Sequence, residues 1–170
     1  MRRAHGFTLI ELMVTLSVMA ILMSIAVPNF QSFILNSRIT TQTNNFIMAL
    51  MLARSEAVKR GSTVTVCSST NGTSCAGLTN WGGGWLVFVD ADGDGAVDAG
   101  DLPVQVGQAL SGGNTLNGGT RTRVTYGGNG FASGFNGTFS LCDSRGATSS
   151  RRIILNNQGR VRTETGGGTC

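Results

Sequence analysis

Three groups of side chains in this 170-residue chain have types and spacings suited to chemistry. Near the C-terminus, Arg145, Arg151, Arg152, Arg160 and Arg162 face only Asp143 and Glu164. A guanidinium matches phosphate oxygens in a two-pronged fork, so an arginine-only patch suits a polyanion. Residues two apart on a strand share a face, which puts Arg160 and Arg162 about 6.8 Å apart on one side and turns Val161 to the other. The second group is Asp90, Asp92, Asp94, Ala96, Asp98 and Asp101, with Gly95 between them. Counted from Asp90, these fall at loop positions 1, 3, 5, 7, 9 and 12 with glycine at 6, the ligand register of a calcium loop in which Ala96 offers its carbonyl. Asp101 is shorter than the usual glutamate, and the flanking pattern is strand-like, so a hairpin tip shaped by Asp and Gly competes with the ion site. The third is Glu11, the one ionisable residue between Phe7 and Val27. A carboxylate at membrane depth costs about 2.5 to 3.5 kcal/mol and calls for a partner, and none is expected within its own helix.

These groups must be positioned by a helix followed by strands. Phe7 to Val27 would span about 31 Å as a helix, enough to cross a bilayer core. Beyond Pro28, apolar residues return at helical spacing at Phe30, Phe33, Ile34, Ile39, Phe46, Leu50, Ala53 and Ala57. Asn36, Ser37, Thr41, Gln42, Asn45, Arg54, Glu56 and Lys59 are expected on the opposite face. Lys59 and Arg60 before Gly61 make a helix end. Strand-like runs follow at 63–67, 85–90, 103–110, 121–126, 137–142, 151–156 and 160–164, each bounded by Gly, Asn, Ser or Asp. The expected class is α+β, with an antiparallel sheet packed on the amphipathic part of the long helix. Trp81, Trp85, Phe88 and Phe139 are expected in the core between them.

Composition excludes several functions. The 13 Lys and Arg against 9 Asp and Glu make the chain mildly basic, and without Arg2 and Arg3 the balance is closer still. Its 25 glycines follow no collagen period and suit a loop-rich β domain. The one histidine, His5, precedes the apolar run, and no Ser or Asp arrangement sets a nucleophile beside a base, so no enzymatic site is expected. The four cysteines, Cys67, Cys75, Cys142 and Cys170, lie beyond the apolar segment and suit an oxidising compartment. Three pairings are open; Cys67 with Cys75 and Cys142 with Cys170 close the two short loops and are the expected set. A nitrogen and sulfur metal site is not expected.

Gly6, followed by Phe7-Thr8-Leu9-Ile10-Glu11 and preceded by Arg2, Arg3 and His5, resembles the leader of type IV pilins and type II secretion pseudopilins. The resemblance implies a pilin fold and cleavage after Gly6 by a prepilin peptidase, which methylates the new amino terminus at Phe7. It also implies that Glu11 neutralises the amine of a neighbouring pilin or pseudopilin in a filament. Residues 1–6 are then the leader, 7–27 the transmembrane segment, 28–60 the amphipathic continuation and 61–170 a β-rich periplasmic domain, on a protein anchored in the inner membrane. Ala53 to Gly61 is similar to the GspH/FimT branch of these proteins. Gly159-Arg160-Val161-Arg162 is similar to the Gly-Arg-x-Arg element of its DNA-binding minor pilins. This implies DNA contact by Gly159, Arg160 and Arg162, with Arg151 and Arg152 beside them. The alternative is a structural minor pilin or H-type pseudopilin that primes or caps its filament without DNA. Calcium, at the acidic loop, is the one cofactor the sequence suggests.

Overall fold

The computed structural model describes residues 6–170, so expectations that fall on Arg2, Arg3 and His5 lie outside the described residues. The chain divides into a unit ending at Ser37 and a unit from Arg38 to Cys170. One helix, α1 (Leu9–Arg60), contributes to both and contains Pro28. Thr8 starts it, its hydroxyl accepting from the Glu11 N–H at 3.3 Å. Its end is a Schellman turn, in which Gly61 takes a φ of 64° and the Ser62 N–H reaches the Ala57 carbonyl at 3.3 Å.

In the first unit every residue from Gly6 to Ile34 is exposed, and by length and composition the helix there can cross a membrane. Phe30 and Phe33 are both 65% exposed, whereas the sequence pattern put them on the packed face. Burial begins at Ile39. The period of apolar residues continues unbroken from one unit to the next and does not reveal which of them meet protein.

The second unit has two four-stranded antiparallel sheets where one was expected. In the first, β3 (Leu102–Gly107), β2 (Trp85–Val89), β1 (Val64–Ser68) and β5 (Arg123–Tyr126) lie in that order. In the second the order is β4 (Thr115–Asn117), β6 (Gly137–Cys142), β7 (Arg151–Leu155) and β8 (Val161–Thr165). Pro103 lies on the edge strand β3, beside a register shift at Val87 and Phe88, where a missing N–H does least harm. Strand β4 is only three residues long and is flanked by glycines, too short to show an alternating pattern.

Both sheets close on the helix. Phe46 is the centre of this contact, with ring centroids 5.5 Å from Trp81, 5.2 Å from Trp85 and 5.0 Å from Phe139, all buried. The pairs with Trp81 and Trp85 are edge-on and that with Phe139 is tilted, and aromatic pairs of this kind add about 0.5 to 1.5 kcal/mol each to the burial of their area. Gln42 is buried on this face, not exposed on the opposite one. Its amide donates to the Ser111 carbonyl at 3.0 Å, and its oxygen accepts from Asn114 at 2.6 Å. A glutamine so satisfied can occupy a core position that its polarity alone would not suggest. The outer face of the first sheet is covered too, with Cys67, Leu86 and Phe88 packed under Cys75 and Val97. Disulfides join Cys67 to Cys75 and Cys142 to Cys170, closing loops of 8 and 28 residues in separation. The loop-entropy relation gives roughly 2.5 and 3.6 kcal/mol for these.

Candidate nucleic-acid interface

The arginine patch is built on the hairpin of β7 and β8. Its turn runs from Asn156 to Gly159, with the Gly159 N–H on the Asn156 carbonyl at 2.9 Å, and the Asn156 side chain accepts from the Arg160 N–H at 2.9 Å. Asparagine first and glycine last are the residues a type I turn favours. Register places Arg162 opposite Ile154 and Glu164 opposite Arg152, so these four share the outer face with Arg160. Arg152 is ion-paired to Glu164, and Arg162 reaches the other oxygen of the same carboxylate at 3.4 Å. Arg162 remains 71% exposed. Arg160 is exposed, and its guanidinium has no ion-pair or hydrogen-bond partner among the described residues. The other arginines of the tail are committed elsewhere. Arg151, on the alternate face, donates to the Ser149 carbonyl at 3.3 Å, and Arg145 is 2.6 Å from Asp143. The hydrogen bond from Arg145 holds the Asp143 carboxyl below its ordinary range, against the opposing effect of burial. The structure therefore leaves Arg160 and Arg162 as the available cations of this hairpin. Arg152 serves as partner to Glu164, and Arg151 faces away.

Gly159 has a structural reason to be glycine. Its φ is 72°, and a Cβ there would stand 2.4 Å from the Gly130 carbonyl oxygen and 3.2 Å from Arg54 Nε. Those two atoms are themselves bonded at 3.0 Å, so the turn is seated directly over a contact between α1 and the loop at Gly130. The same Cβ would lie 3.0 Å from Tyr126 Cε1. Burial raises the pKa of that tyrosine's hydroxyl, opposed by the nearby charge of Arg54. This seat forms one side of a groove of about 660 Å³ whose other side is the helix from Met51 to Lys59. Arg54, Lys59 and Arg160 bring charge to it, while Met51 and Val58 present exposed apolar surface. Lys59 lies 3.5 Å from Glu56, which Arg60 also binds at 2.7 Å. The sequence shows Arg54 and Lys59 only as polar-face residues of a helix. Their approach to Arg160 joins positions about a hundred residues apart, and no local pattern signals it.

At the other end of the chain, Glu11 has partners in its own segment, contrary to the sequence-based expectation. Its carboxylate accepts from the Thr8 N–H at 3.5 Å and from the Thr8 hydroxyl at 3.4 Å, while the Thr8 hydroxyl accepts from the Glu11 N–H. This is a capping box, the reciprocal arrangement of Thr and Glu three residues apart. The spacing Thr8-x-x-Glu11 was the signal for it.

The acidic loop gathers only part of its expected ligand set. Asp90, Asp92 and Asp94 offer oxygens within 4.8 Å of one another, and Asp98 and Asp101 stand outside that group. Loop N–H groups already use these carboxylates. Asp90 accepts from Gly93 at 2.8 Å and from the Thr65 hydroxyl at 2.7 Å, Asp94 from Ala96 at 2.7 Å, and Asp101 from Ala91 at 2.9 Å. Arg123 supplies a cation of the protein's own, donating to the Asp94 carbonyl at 2.8 Å. Desolvation, and then the neighbouring Asp101, Asp92, Asp94 and Asp90, raise the pKa of Asp98. Calcium takes six to eight oxygens; three of the carboxylates converge, and the remaining side-chain positions of the register stand apart from them.

A long N-terminal helix packed on antiparallel sheets defines the class as a pilin-like fold, and comparison with known proteins agrees. The structure is similar to the type IV minor pilin FimU of Pseudomonas aeruginosa, with a TM-score of 0.62 and 20% identity, over 78% of this chain and 92% of that one. It is also similar to the minor pseudopilin EpsH of the Vibrio cholerae type 2 secretion system, with a TM-score of 0.52 and 14% identity, over 75% and 97%. Residues 1–27 match the prokaryotic N-terminal methylation motif. Residues 42–159 match the family described as type II transport protein GspH, and the chain belongs to that family. A probable minor fimbrial protein of Dichelobacter nodosus is 45% identical over 40 residues, 24% of this chain; the match spans a quarter of that relative's length.

The geometry of the acidic loop yields a testable expectation. Because its carboxylates already serve as acceptors within the loop, millimolar calcium is expected to leave the melting temperature of the protein where chelator leaves it. A calcium-dependent rise, the signature of a ligand that binds only the folded state, would show that Asp98 and Asp101 move in to complete the register.

Proposed function

We propose that this chain is a minor type IV pilin that captures DNA without reading its sequence. The observation that carries this reading is the outer face of β7 and β8, an edge hairpin on which Arg160 and Arg162 are exposed and Glu164 is the one acidic side chain. Phosphate contacts of this kind fix position and carry no sequence information. The structural alternative, a pilin or pseudopilin that only primes or caps its filament, draws on the same residues. Ion pairs along an edge strand discourage unwanted sheet pairing, and Arg152 with Glu164 fits that role.

The rest of the reading concerns assembly. A prepilin peptidase cuts after Gly6 and methylates Phe7. The apolar part of α1 anchors the subunit in the inner membrane with the second unit in the periplasm, until it joins other pilins in a filament. Glu11, held by Thr8 in the single subunit, passes to the amine of its neighbour on assembly. The methylation motif, the apolar helix and the capping box support this sequence of events.

Two experiments test the proposal. In the first, the full-length chain in detergent micelles is titrated with unrelated duplexes at several salt concentrations. With two to four phosphates neutralised, the slope of log K against log salt is expected at about −2 to −4. The double substitution Arg160→Gln with Arg162→Gln is expected to flatten it by roughly 2 on every sequence. No binding at low salt, or equal binding by the double variant, leaves the hairpin a solvated edge. The second experiment separates the cap of Glu11 from its charge. Glu11→Gln keeps a capping side chain and Glu11→Ala does not, yet both are expected to be processed at Gly6 and depleted from sheared filaments on immunoblot. Normal incorporation of the Gln variant would restrict Glu11 to capping.

A further inference from the structure

We propose that Phe131 is a stacking platform for one base of a single-stranded nucleic acid whose phosphates lie on Arg160 and Arg162. The inference rests on the DNA-binding reading above and adds the strand class that the site prefers. Among the described residues of the second unit, Phe131 is the only aromatic side chain left exposed, at 44%. Phe46, Trp81, Trp85, Phe88, Tyr126 and Phe139 are buried, and Phe135 is half-buried. A single exposed ring is ordinary on a protein surface. What distinguishes this one is how its backbone is held and beside what.

Phe131 sits in a tight loop whose bonds fix it on both sides. Its carbonyl accepts from the Gly127 N–H at 2.9 Å, and its own N–H donates to Asn129 Oδ1 at 3.0 Å. The next residue, Ala132, donates its N–H to the Asn157 carbonyl at 2.9 Å, inside the turn that leads to Arg160. The preceding residue, Gly130, has its carbonyl on Arg54 at 3.0 Å, and a Cβ there would lie 2.9 Å from Val58 Cγ2. The ring is therefore carried by a segment bonded to the arginine turn on one side and to the charged groove on the other. A rigid backbone lowers the ordering cost of presenting it.

An exposed ring on a loop whose backbone is bonded to the arginine turn suits the arrangement that binds single strands, with charge along the backbone and a flat apolar face for a base. Bases in a duplex are already stacked on their neighbours and cannot use the ring without being unstacked first, so Phe131 favours unpaired segments. Stacking accepts any base face, and the proposal retains the lack of sequence preference. The pair is not legible in the sequence because Phe131 precedes Arg160 by 29 positions, and the two loops meet through the bond from Ala132 to Asn157 and the seating of Gly159 over Gly130.

The test uses the full-length chain in detergent micelles with fluorescently labelled oligothymidylate and a duplex of equal length, read by anisotropy. Phe131→Ala is expected to weaken single-strand binding by about tenfold while duplex binding stays within about twofold, and Phe131→Tyr is expected to retain wild-type affinity. The salt slope on the single strand is expected to be unchanged in Phe131→Ala, because no phosphate contact is removed. Melting temperatures within a degree or so of wild type would show that both variants keep their fold. Equal losses on both substrates, or none on the single strand, overturn the stacking role and leave the arginine reading standing. A wild-type chain that binds neither substrate removes both.

Discussion

Arg54 reaches out from the helix to the carbonyl of Gly130, and the turn that carries Arg160 closes over that hydrogen bond with no room for a side chain at Gly159. This contact ties three distant parts of the chain into one surface: the end of α1, the loop at Phe131 and the hairpin of β7 and β8. A free arginine side chain on an open strand carries large rotational entropy and grips poorly. Seating the strand's turn on the helix fixes the backbone from which the arginines spring, so less freedom would be lost in the polyanion binding proposed above. The seat in turn depends on the core below it, where Phe46 meets Trp81, Trp85 and Phe139 and holds both sheets to the helix.

The two units are built on different principles. The first is an exposed apolar helix beginning with a capping box. The second is a core-bearing domain with its chain end bound back by the bridge from Cys142 to Cys170. The Thr8 and Glu11 box puts the carboxylate near the positive end of the helix dipole, where negative charge is favoured.

What the sequence made legible was local. The helix end at Lys59, Arg60 and Gly61 could be read because capping is set by neighbouring residues, and the strands of five or six residues could be read from their β-forming side chains and the turn residues that bound them. The pilin-like class followed from the order of helix and strands together with Gly6 and Glu11, and the family comparisons agree with it. Contacts between distant residues were not legible. The pairing of Arg152 with Glu164 depends on strand register, the burial of Gln42 on the loop that brings Ser111 and Asn114 to it, and the groove on the approach of Lys59 to Arg160. The acidic loop was legible only in part, for a related reason. Ligand spacing along the chain is necessary for a calcium site, but here the carboxylates bend back onto the loop's own N–H groups.

The central claim is that geometry, beyond charge, makes the arginine face a binding surface. Gly159→Ala tests it most directly, because it keeps every arginine and the net charge while denying the turn its seat. A residue forced to positive φ costs about 1 to 3 kcal/mol, which the protein can relieve by lifting the turn. The account predicts that this variant, still folded by its melting transition, binds duplex DNA at least about tenfold more weakly than wild type at the same salt concentration. Wild-type affinity in a folded Gly159→Ala protein would contradict it and show that the positive charge of the tail is sufficient by itself.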